Sequence, residues 1–276
     1  ELFVMDDGWF GERNDDTSSL GDWTPNEKKL PGGIREIADK IKALGLDFGI
    51  WVEPEMVNVK SRLYEKHPEW VVDIPEKPHS EGRNQRILDL SNTEVQDYII
   101  EQMSNIFSSA DISYVKWDMN RHLTDLGSAY LDRKNQNELS HRYVLGLYQV
   151  METLTERFPQ VLFESCSSGG GRFDAGMLYY MPQTWTSDNT DAVCRLKIQH
   201  GTSFLFPTVT MGAHVSACPN HQVGRTTPLA TRFAVAAAGN LGYELDLKKL
   251  LKEEKKEVRE QIAEYKRRRR TVQFGT

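Results

Sequence analysis

The sequence YVKWDMNR, residues 114–121, joins a short apolar run to a polar continuation. Its first half is rich in aromatic and β-branched side chains, which is typical of a buried strand. Lys116 and Asp118 lie two residues apart, so on a strand both side chains point to the same face. In a parallel barrel that face lies near the carboxyl end of the strand, where active sites occur. Two interpretations remain open: a catalytic carboxylate beside a lysine, or a structural ion pair that caps the strand.

Strands and helices alternate outward from this segment along the whole chain. Strands are predicted at 2–5, 48–52, 87–90, 112–118, 161–165, 184–186, 204–209 and 240–245. The main helices are predicted at 34–44, 94–107, 134–157, 192–201, 228–238 and 250–269. Such alternation implies a parallel sheet with right-handed crossovers. Eight strand–helix units in 276 residues predict an α/β fold, a (β/α)8 TIM barrel that forms a single domain over residues 1–276.

Composition excludes several classes of function. A net charge of −6 argues against a nucleic-acid partner, and no apolar run approaches the roughly 20 residues of a membrane span. Three cysteines (Cys166, Cys194 and Cys218) form neither a disulfide framework nor a metal-ligand spacing, so a reducing cytoplasm is the expected location. The histidines show no metal pattern, and the glycines at 169–171 lack the Lys-Ser/Thr of a phosphate loop. We therefore predict no metal and no cofactor.

Polar residues gather where the predicted strands end. They are Asp6 with Asp7, Glu53 with Trp51, Lys116 with Asp118, Cys166, and Asp188. The carboxyl ends of barrel strands converge on one rim, and a rim of carboxylates, a lysine and aromatic rings suits a sugar. Two facing carboxylates could then act on a glycosidic bond. Structural alternatives stay open, since Asp6-Asp7-Gly8 could be a plain turn and Trp51 could be core packing.

Five motifs resemble the α-galactosidases of glycoside hydrolase family 36, of the bacterial long-chain type. They are DDGWF (6–10), GIWVEPEMV (49–57), YVKWDMNR (114–121), CSSGGGRFD (166–174) and WTSDNTDA (185–192). Their order and spacing also match, and the resemblance covers nearly the whole chain, weakening after Leu245. The resemblance implies a (β/α)8 barrel that hydrolyses terminal α-linked galactose, as in melibiose- and raffinose-type sugars, by a retaining double displacement.

Carried over by position, the resemblance implies that Asp118 is the nucleophile and Asp188 the acid/base. Asp118 is expected to be ionised beside Lys116, whereas Asp188 has no cation within three residues and can hold a proton. Asp191 is the rival acid, and we interpret it instead as a cap of the following helix. The implied substrate contacts are Asp6 and Asp7 for the 4- and 6-hydroxyls, Trp51 as a wall, Lys116 near the nucleophile, Arg83 from the third loop, and Asn120, Cys166 and Gly169 toward the 2-hydroxyl.

The chain departs from the family in its length, because family members carry β-domains before and after the barrel. We therefore expect an isolated catalytic barrel, excised or redesigned, with weakened activity. Full-length members are oligomeric, and a monomer or an altered oligomer is expected here. Two other functions stay open: a raffinose-family galactosyl-transferring barrel with the same two carboxylates, and a catalytically silent sugar-binding or structural scaffold.

Overall fold

The structure, a computed structural model, describes residues 1–275. Backbone contacts divide the chain into two compact units, residues 1–167 and 168–276, and both units combine parallel strands with helices. The α/β class is therefore confirmed, whereas a single closed barrel over residues 1–276 stays a prediction. No helix within residues 1–275 has both the length and the apolar composition needed to cross a bilayer.

The first unit contains six strands and four α-helices among its described residues. The strands are β1 (Leu2–Met5), β2 (Asp47–Val52), β3 (Met56–Val57), β4 (Arg86–Ile87), β5 (Tyr114–Trp117) and β6 (Leu162–Ser165). The helices are α1 (Gly33–Ala43), α2 (Arg62–Lys66), α3 (Thr93–Ser109) and α4 (Leu139–Arg157), with 3-10 turns at Pro68–Trp70 and Arg133–Glu138.

Four of these strands pair in parallel in the order β1, β2, β5, β6. The register places Trp51 beside Lys116, and Lys116 beside Glu164. Residues 48–52 of β2 are all buried, as expected of a parallel strand covered on both faces. Because the strands are parallel and in register, their carboxyl ends meet at one edge, which is where the polar residues follow.

The prediction of a parallel strand at 87–90 is wrong. Only Arg86–Ile87 is a strand, and it pairs antiparallel with Met56–Val57. The backbone groups that follow bind other segments, since the Leu88 N–H donates to the Glu55 carbonyl and the Asp89 N–H donates to the Trp70 carbonyl. These hydrogen bonds use the backbone N–H groups that a longer parallel strand would need for pairing with its neighbours.

Helices α3 and α4 pack against each other in the first unit, and both bury apolar side chains. The Asn92 side chain accepts a hydrogen bond from the Glu94 N–H and caps α3. Residues 91–93 all have side chains that can cap a helix. Helix α4 buries Leu147, Val150, Met151 and Leu154 at helical spacing. Gly146 of α4 lies so close to the segment before α3 that a Cβ on this residue would stand 1.9 Å from the Leu90 carbonyl oxygen. The small residue therefore lets α4 pack directly against the segment that precedes α3.

The second unit contains three parallel strands in the order β7 (Gln183–Trp185), β8 (Met211–Ser216) and β9 (Asn240–Glu244). Its helices are α5 (Ala175–Tyr180), α6 (Ala192–Ser203), α7 (Leu229–Ala236) and α8 (Lys252–Phe274), with a 3-10 turn at Thr208–Thr210. Its core comprises Ala213, Val215, Leu229, Ala236 and Val258. The strand predicted at 240–245 and the helices predicted at 192–201, 228–238 and 250–269 are confirmed.

The strand predicted at 204–209 is wrong. The chain there continues from α6 as a turn, in which the N–H groups of Leu205 and Phe206 both bind the Thr202 carbonyl. Phe204 and Leu205 are 76% and 81% exposed, so this apolar run is not a core strand. Pro207 has no N–H to donate to a ladder, and pairing begins four residues later, at Met211.

Candidate active site

Polar residues follow the four parallel strands of the first unit at their shared edge. Asp6 follows β1, Glu53 follows β2, Asp118 follows β5 and Cys166 follows β6. Parallel pairing continues one step past the strands, because the Asp118 N–H donates to the Val52 carbonyl and the Met119 N–H donates to the Cys166 carbonyl. The backbone thereby fixes where each of these side chains starts.

The Asp118 carboxylate is held by three N–H donors. The indole Nε1 of Trp51 donates to Oδ2 at 3.1 Å, and the Asn120 side-chain amide donates to the same oxygen at 2.7 Å. The backbone N–H of Met119 donates to Oδ1 at 2.9 Å. Asp118 is only 6% exposed. Its carboxylate is therefore preorganised, with both oxygens oriented by the protein rather than by water.

An aromatic cluster fixes the orientation of Trp51. The Phe10 ring stacks against the Trp51 ring with centroids 6.3 Å apart, and Trp23 packs at 6.5 Å. The Trp9 indole donates to the Trp51 carbonyl at 2.9 Å. Trp51 is buried among these rings, yet its indole N–H is directed at Asp118. The core-packing interpretation of Trp51 is therefore confirmed, and its role as a wall of a sugar site stays a prediction.

Lys116 lies between acidic groups of neighbouring strands. Its Nζ stands 3.6 Å from the Asp6 carboxylate. Burial opposes the charged form of Lys116, but the negative charges of Asp6 and Glu164 outweigh that effect and raise the pKa of the lysine. Lys116 therefore stays cationic and can donate hydrogen bonds to a neighbouring hydroxyl group.

The structure shows the surroundings of two expected substrate contacts, Asp7 and Arg83. Asp7 forms an ion pair with Arg13 at 2.8 Å, and the Arg13 guanidinium is itself buried and bound to Asn58. Arg83 is exposed on a tight turn in which the Gln85 N–H binds the Gly82 carbonyl. The pattern of residues did not predict the role of Arg13, which holds Asp7 in a fixed position.

Glu53 is the residue of this edge to which the sequence assigned no role. Its side chain is 1% exposed, and it accepts the Asn120 N–H at 2.6 Å and the Gln85 side-chain amide at 3.0 Å. Burial, followed by the negative charge of Asp118, raises the pKa of Glu53 to about 8. The signal was present in the sequence, because Glu53 lies two residues after Trp51 and so on the same face.

Gly169 and Asp188 meet within the second unit. Gly169 has a φ of +91°, and a Cβ on it would lie 2.7 Å from the Ser187 Cα and 3.1 Å from the Asp188 backbone nitrogen. The next residue, Gly170, donates its N–H to the Thr186 carbonyl at 3.2 Å. The glycine-rich turn therefore supports the backbone of Asp188, whose side chain is half-buried three residues after β7.

Asp191 caps helix α6, which confirms the prediction made for this residue. Its side chain accepts the Cys194 N–H at 2.9 Å and forms an ion pair with Arg225. The residue is 2% exposed. A carboxylate committed to a helix N-terminus and an arginine has little freedom to act as a proton donor.

Metal-binding arrangements were sought among the side chains of residues 1–275. No group of three or more His, Cys, Asp or Glu residues in this part of the chain is arranged to hold a metal ion. The three cysteines are free thiols, of which Cys166 is buried.

Comparison with known proteins identifies relatives over the full length of the chain. The chain is 63% identical to the α-galactosidase AgaA of Geobacillus stearothermophilus and 53% identical to α-galactosidase 1 of Pediococcus pentosaceus. Each match covers 100% of this chain and 38% of the relative, so the chain spans about 38% of the length of these curated relatives.

A solved structure agrees with the fold. A variant of the same Geobacillus GH36 α-galactosidase, crystallised with raffinose, matches with a TM-score of 0.98 at 62% identity, over 99% of this chain and 38% of that one. The resemblance to glycoside hydrolase family 36 is confirmed by these matches. The family model described as Melibiase matches residues 1–275, and the chain therefore belongs to the Melibiase family.

Proposed function

We propose that this chain is the catalytic part of a retaining α-galactosidase that hydrolyses terminal α-linked galactose in melibiose- and raffinose-type oligosaccharides. The observation that carries the proposal is the Asp118 carboxylate, which is buried and oriented by three N–H donors at the carboxyl edge of parallel strands. The relatives named α-galactosidases, one of them with raffinose bound, support this substrate class.

The proposed reaction is a double displacement. A carboxylate oxygen of Asp118 attacks the anomeric carbon while the glycosidic bond breaks and Asp188 gives its proton to the leaving oxygen. Water then attacks the anomeric carbon, Asp188 takes a proton from that water, and the Asp118 carboxylate is released with galactose in its original anomeric configuration. We propose a separation of about 5–5.5 Å between the two carboxyl groups, as retaining glycosidases require. The reaction needs no metal and no cofactor.

The remaining site residues are proposed to bind the galactose ring. Asp6 and Asp7 would accept the 4- and 6-hydroxyls, and this pair would distinguish galactose from glucose, whose 4-hydroxyl points the other way. The Lys116 ammonium would hold a hydroxyl near the nucleophile. The other proposed contacts are Trp51, Arg83, Asn120, Cys166 and Gly169.

A single (β/α)8 barrel formed by both units is the architecture that this function implies. The alternation of parallel strands with helices in each unit supports that proposal. We also propose that this chain acts as a monomer on small oligosaccharides. Three free thiols would be stable in a reducing compartment, which supports a cytoplasmic location.

The test is hydrolysis of 4-nitrophenyl α-galactoside and of raffinose by the full chain and by Asp118→Ala. We expect turnover in the wild type, its loss in the variant, and α-galactose as the first product seen by NMR. β-Galactose as first product would refute the retaining mechanism. A raffinose reaction that yields longer oligosaccharides rather than free galactose would favour the galactosyl-transferring function. No turnover, with galactose still protecting the chain from thermal unfolding, would favour a sugar-binding scaffold.

A further inference from the structure

Glu53 is connected to Asp118 by a continuous set of hydrogen bonds. The Glu53 carboxyl group accepts the Asn120 backbone N–H at 2.6 Å, and the Asn120 side-chain amide donates to Asp118 Oδ2 at 2.7 Å. Trp51, two residues before Glu53, donates to the same Oδ2. Both side-chain donors that orient this oxygen therefore depend on one short segment at the end of β2.

The position of Asn120 depends on Glu53 more than on its own strand. β5 ends at Trp117, so the backbone of Asn120 lies beyond the ladder. Its N–H bond to Glu53 reaches back across 67 positions of sequence and is short. A displaced Asn120 would carry its amide away from Asp118. A shift of about 1 Å in such a contact can lower a rate by roughly a hundredfold.

The charged groups that face the Glu53 carboxyl are Asp118 and Arg83. Burial and the Asp118 carboxylate favour the neutral form of Glu53, whereas the Asn120 bond and the Arg83 charge oppose it. Gln85 can serve both protonation states. Its Nε2 donates to Glu53, and its Oε1 is buried without a hydrogen-bond partner among residues 1–275, so the turned amide could accept the proton of a neutral carboxyl.

We propose that Glu53 is a positioning residue for the nucleophile: its neutral carboxyl group holds Asn120, and thereby Asp118, in the reactive arrangement. This inference rests on the proposed function. Ionised Glu53 would place a second buried negative charge beside the Asp118 carboxylate, and the repulsion between the two carboxylates would move Asp118 out of the reactive arrangement. The neutral form of Glu53 would thus support catalysis, and the ionised form would disturb it.

The test compares Glu53→Gln, Glu53→Ala and Glu55→Gln in the full chain. Glu53→Gln keeps the acceptor for the Asn120 N–H and cannot ionise, whereas Glu53→Ala removes the acceptor. Glu55 is the matched control because it is equally buried in the same segment but binds Trp117 and Tyr143 instead, at 2.8 and 2.7 Å. The substrate is 2,4-dinitrophenyl α-galactoside, whose leaving group needs no proton, so the titration of Asp188 does not affect kcat/KM.

We expect Glu53→Ala to lower kcat by roughly 10- to 100-fold with little change in KM. Glu53→Gln restores kcat. The wild-type kcat/KM falls as the pH rises through about 8, while that of Glu53→Gln stays flat over the same range. Glu55→Gln lowers the melting temperature but keeps the pH profile of the wild type.

Three results would overturn the inference while leaving the proposed function intact. They are an active Glu53→Ala variant with wild-type kcat, identical pH profiles of the wild type and Glu53→Gln, and a wild-type kcat/KM that rises through the titration. An inactive wild type would instead refute the proposed function, and this inference would fall with it.

Discussion

The contact between Gly169 and the backbone of Asp188 makes Gly169→Ala an informative perturbation. A Cβ at this position would lie 2.7 Å from the Ser187 Cα and 3.1 Å from the Asp188 nitrogen, with φ at +91°. Both neighbours are backbone atoms, which cannot rotate away as a side chain end can. The substitution should therefore move residues 187 and 188 themselves.

The magnitude follows from these distances. Carbon atoms in good contact lie about 3.5 Å apart or more, so the backbone must move by about 0.8 Å from the 2.7 Å contact. The unfavourable φ and this shift should together lower the free energy of unfolding by about 1–3 kcal/mol. If Asp188 is the proton donor, such a displacement should lower kcat for raffinose by roughly a hundredfold.

The assay compares two leaving groups. Raffinose hydrolysis needs a proton on the leaving oxygen, whereas 2,4-dinitrophenyl α-galactoside releases its leaving group without one. Gly169→Ala should therefore lower kcat/KM for raffinose much more than kcat/KM for the aryl galactoside, because kcat/KM reports the first displacement and not the later step in which Asp188 acts as a base. Gly201→Ala is the matched control, because this exposed glycine of α6 has no heavy atom within 4 Å of its added Cβ. The control should keep activity and gain up to about 1 kcal/mol of stability from better helix propensity.

Two results would refute this reasoning. If Gly169→Ala kept the melting temperature and the turnover of the wild type, the close contact would not constrain residues 187 and 188. Equal losses of kcat/KM on both substrates would show that the substitution disturbs something other than the proton donor.

Three further predictions concern the carboxyl groups. Asp118→Ala should lower turnover by roughly 10⁴-fold or more. Added azide should restore turnover of the aryl galactoside and give β-galactosyl azide as the product. If azide did not restore turnover, the result would argue against a nucleophile at position 118. Asp188→Asn should abolish raffinose hydrolysis, whereas Asp191→Ala should leave it measurable. Asp191→Ala should also lower the free energy of unfolding by about 0.5–2 kcal/mol, because the α6 cap is lost. If Asp191→Ala lowered turnover more than Asp188→Asn did, the two residues would exchange roles. The folded-state pKa of Glu53, about 8, lies above its ordinary value of 4.5, so the folded protein binds more protons between these values and stability falls as pH rises across that window. Glu53→Gln should remove this slope in urea titrations, and an unchanged slope would contradict a neutral Glu53.

The sequence predicted the helices more reliably than the strands. Helices α3, α4 and α8 carry buried side chains at helical spacing over 17 or more residues, and such long patterns are hard to mistake. The short apolar run at 204–209 has no such length. It turned out to be an exposed turn, because Pro207 and the end of α6 delayed the strand to Met211–Ser216. A short, mostly apolar run does not by itself distinguish a core strand from an exposed helix end.

The sequence indicated candidate site residues, but not the partners that surround them. Strand ends and the family motifs pointed to Asp118, Asp188, Trp51 and Lys116 as candidates. Neither signal indicated that Asp7 would be bound by Arg13, or that Asp191 would be bound by Arg225. Asp7 and Arg13 belong to the same long loop, whereas Asp191 and Arg225 come from different segments, and both ion pairs depend on how these segments fold and pack.

By itself, the sequence determined the α/β class, the family and the residues that follow strands β1, β2, β5 and β6, because these depend on local periodicity and on the order of motifs along the chain. Only the tertiary structure decided which atoms meet. The Trp51 indole and the Asp118 carboxylate are separated by 67 positions, as are Glu53 and the Asn120 N–H. Their contacts exist because the parallel register brings the ends of β2 and β5 together, and because burial leaves these polar groups no water to bind instead.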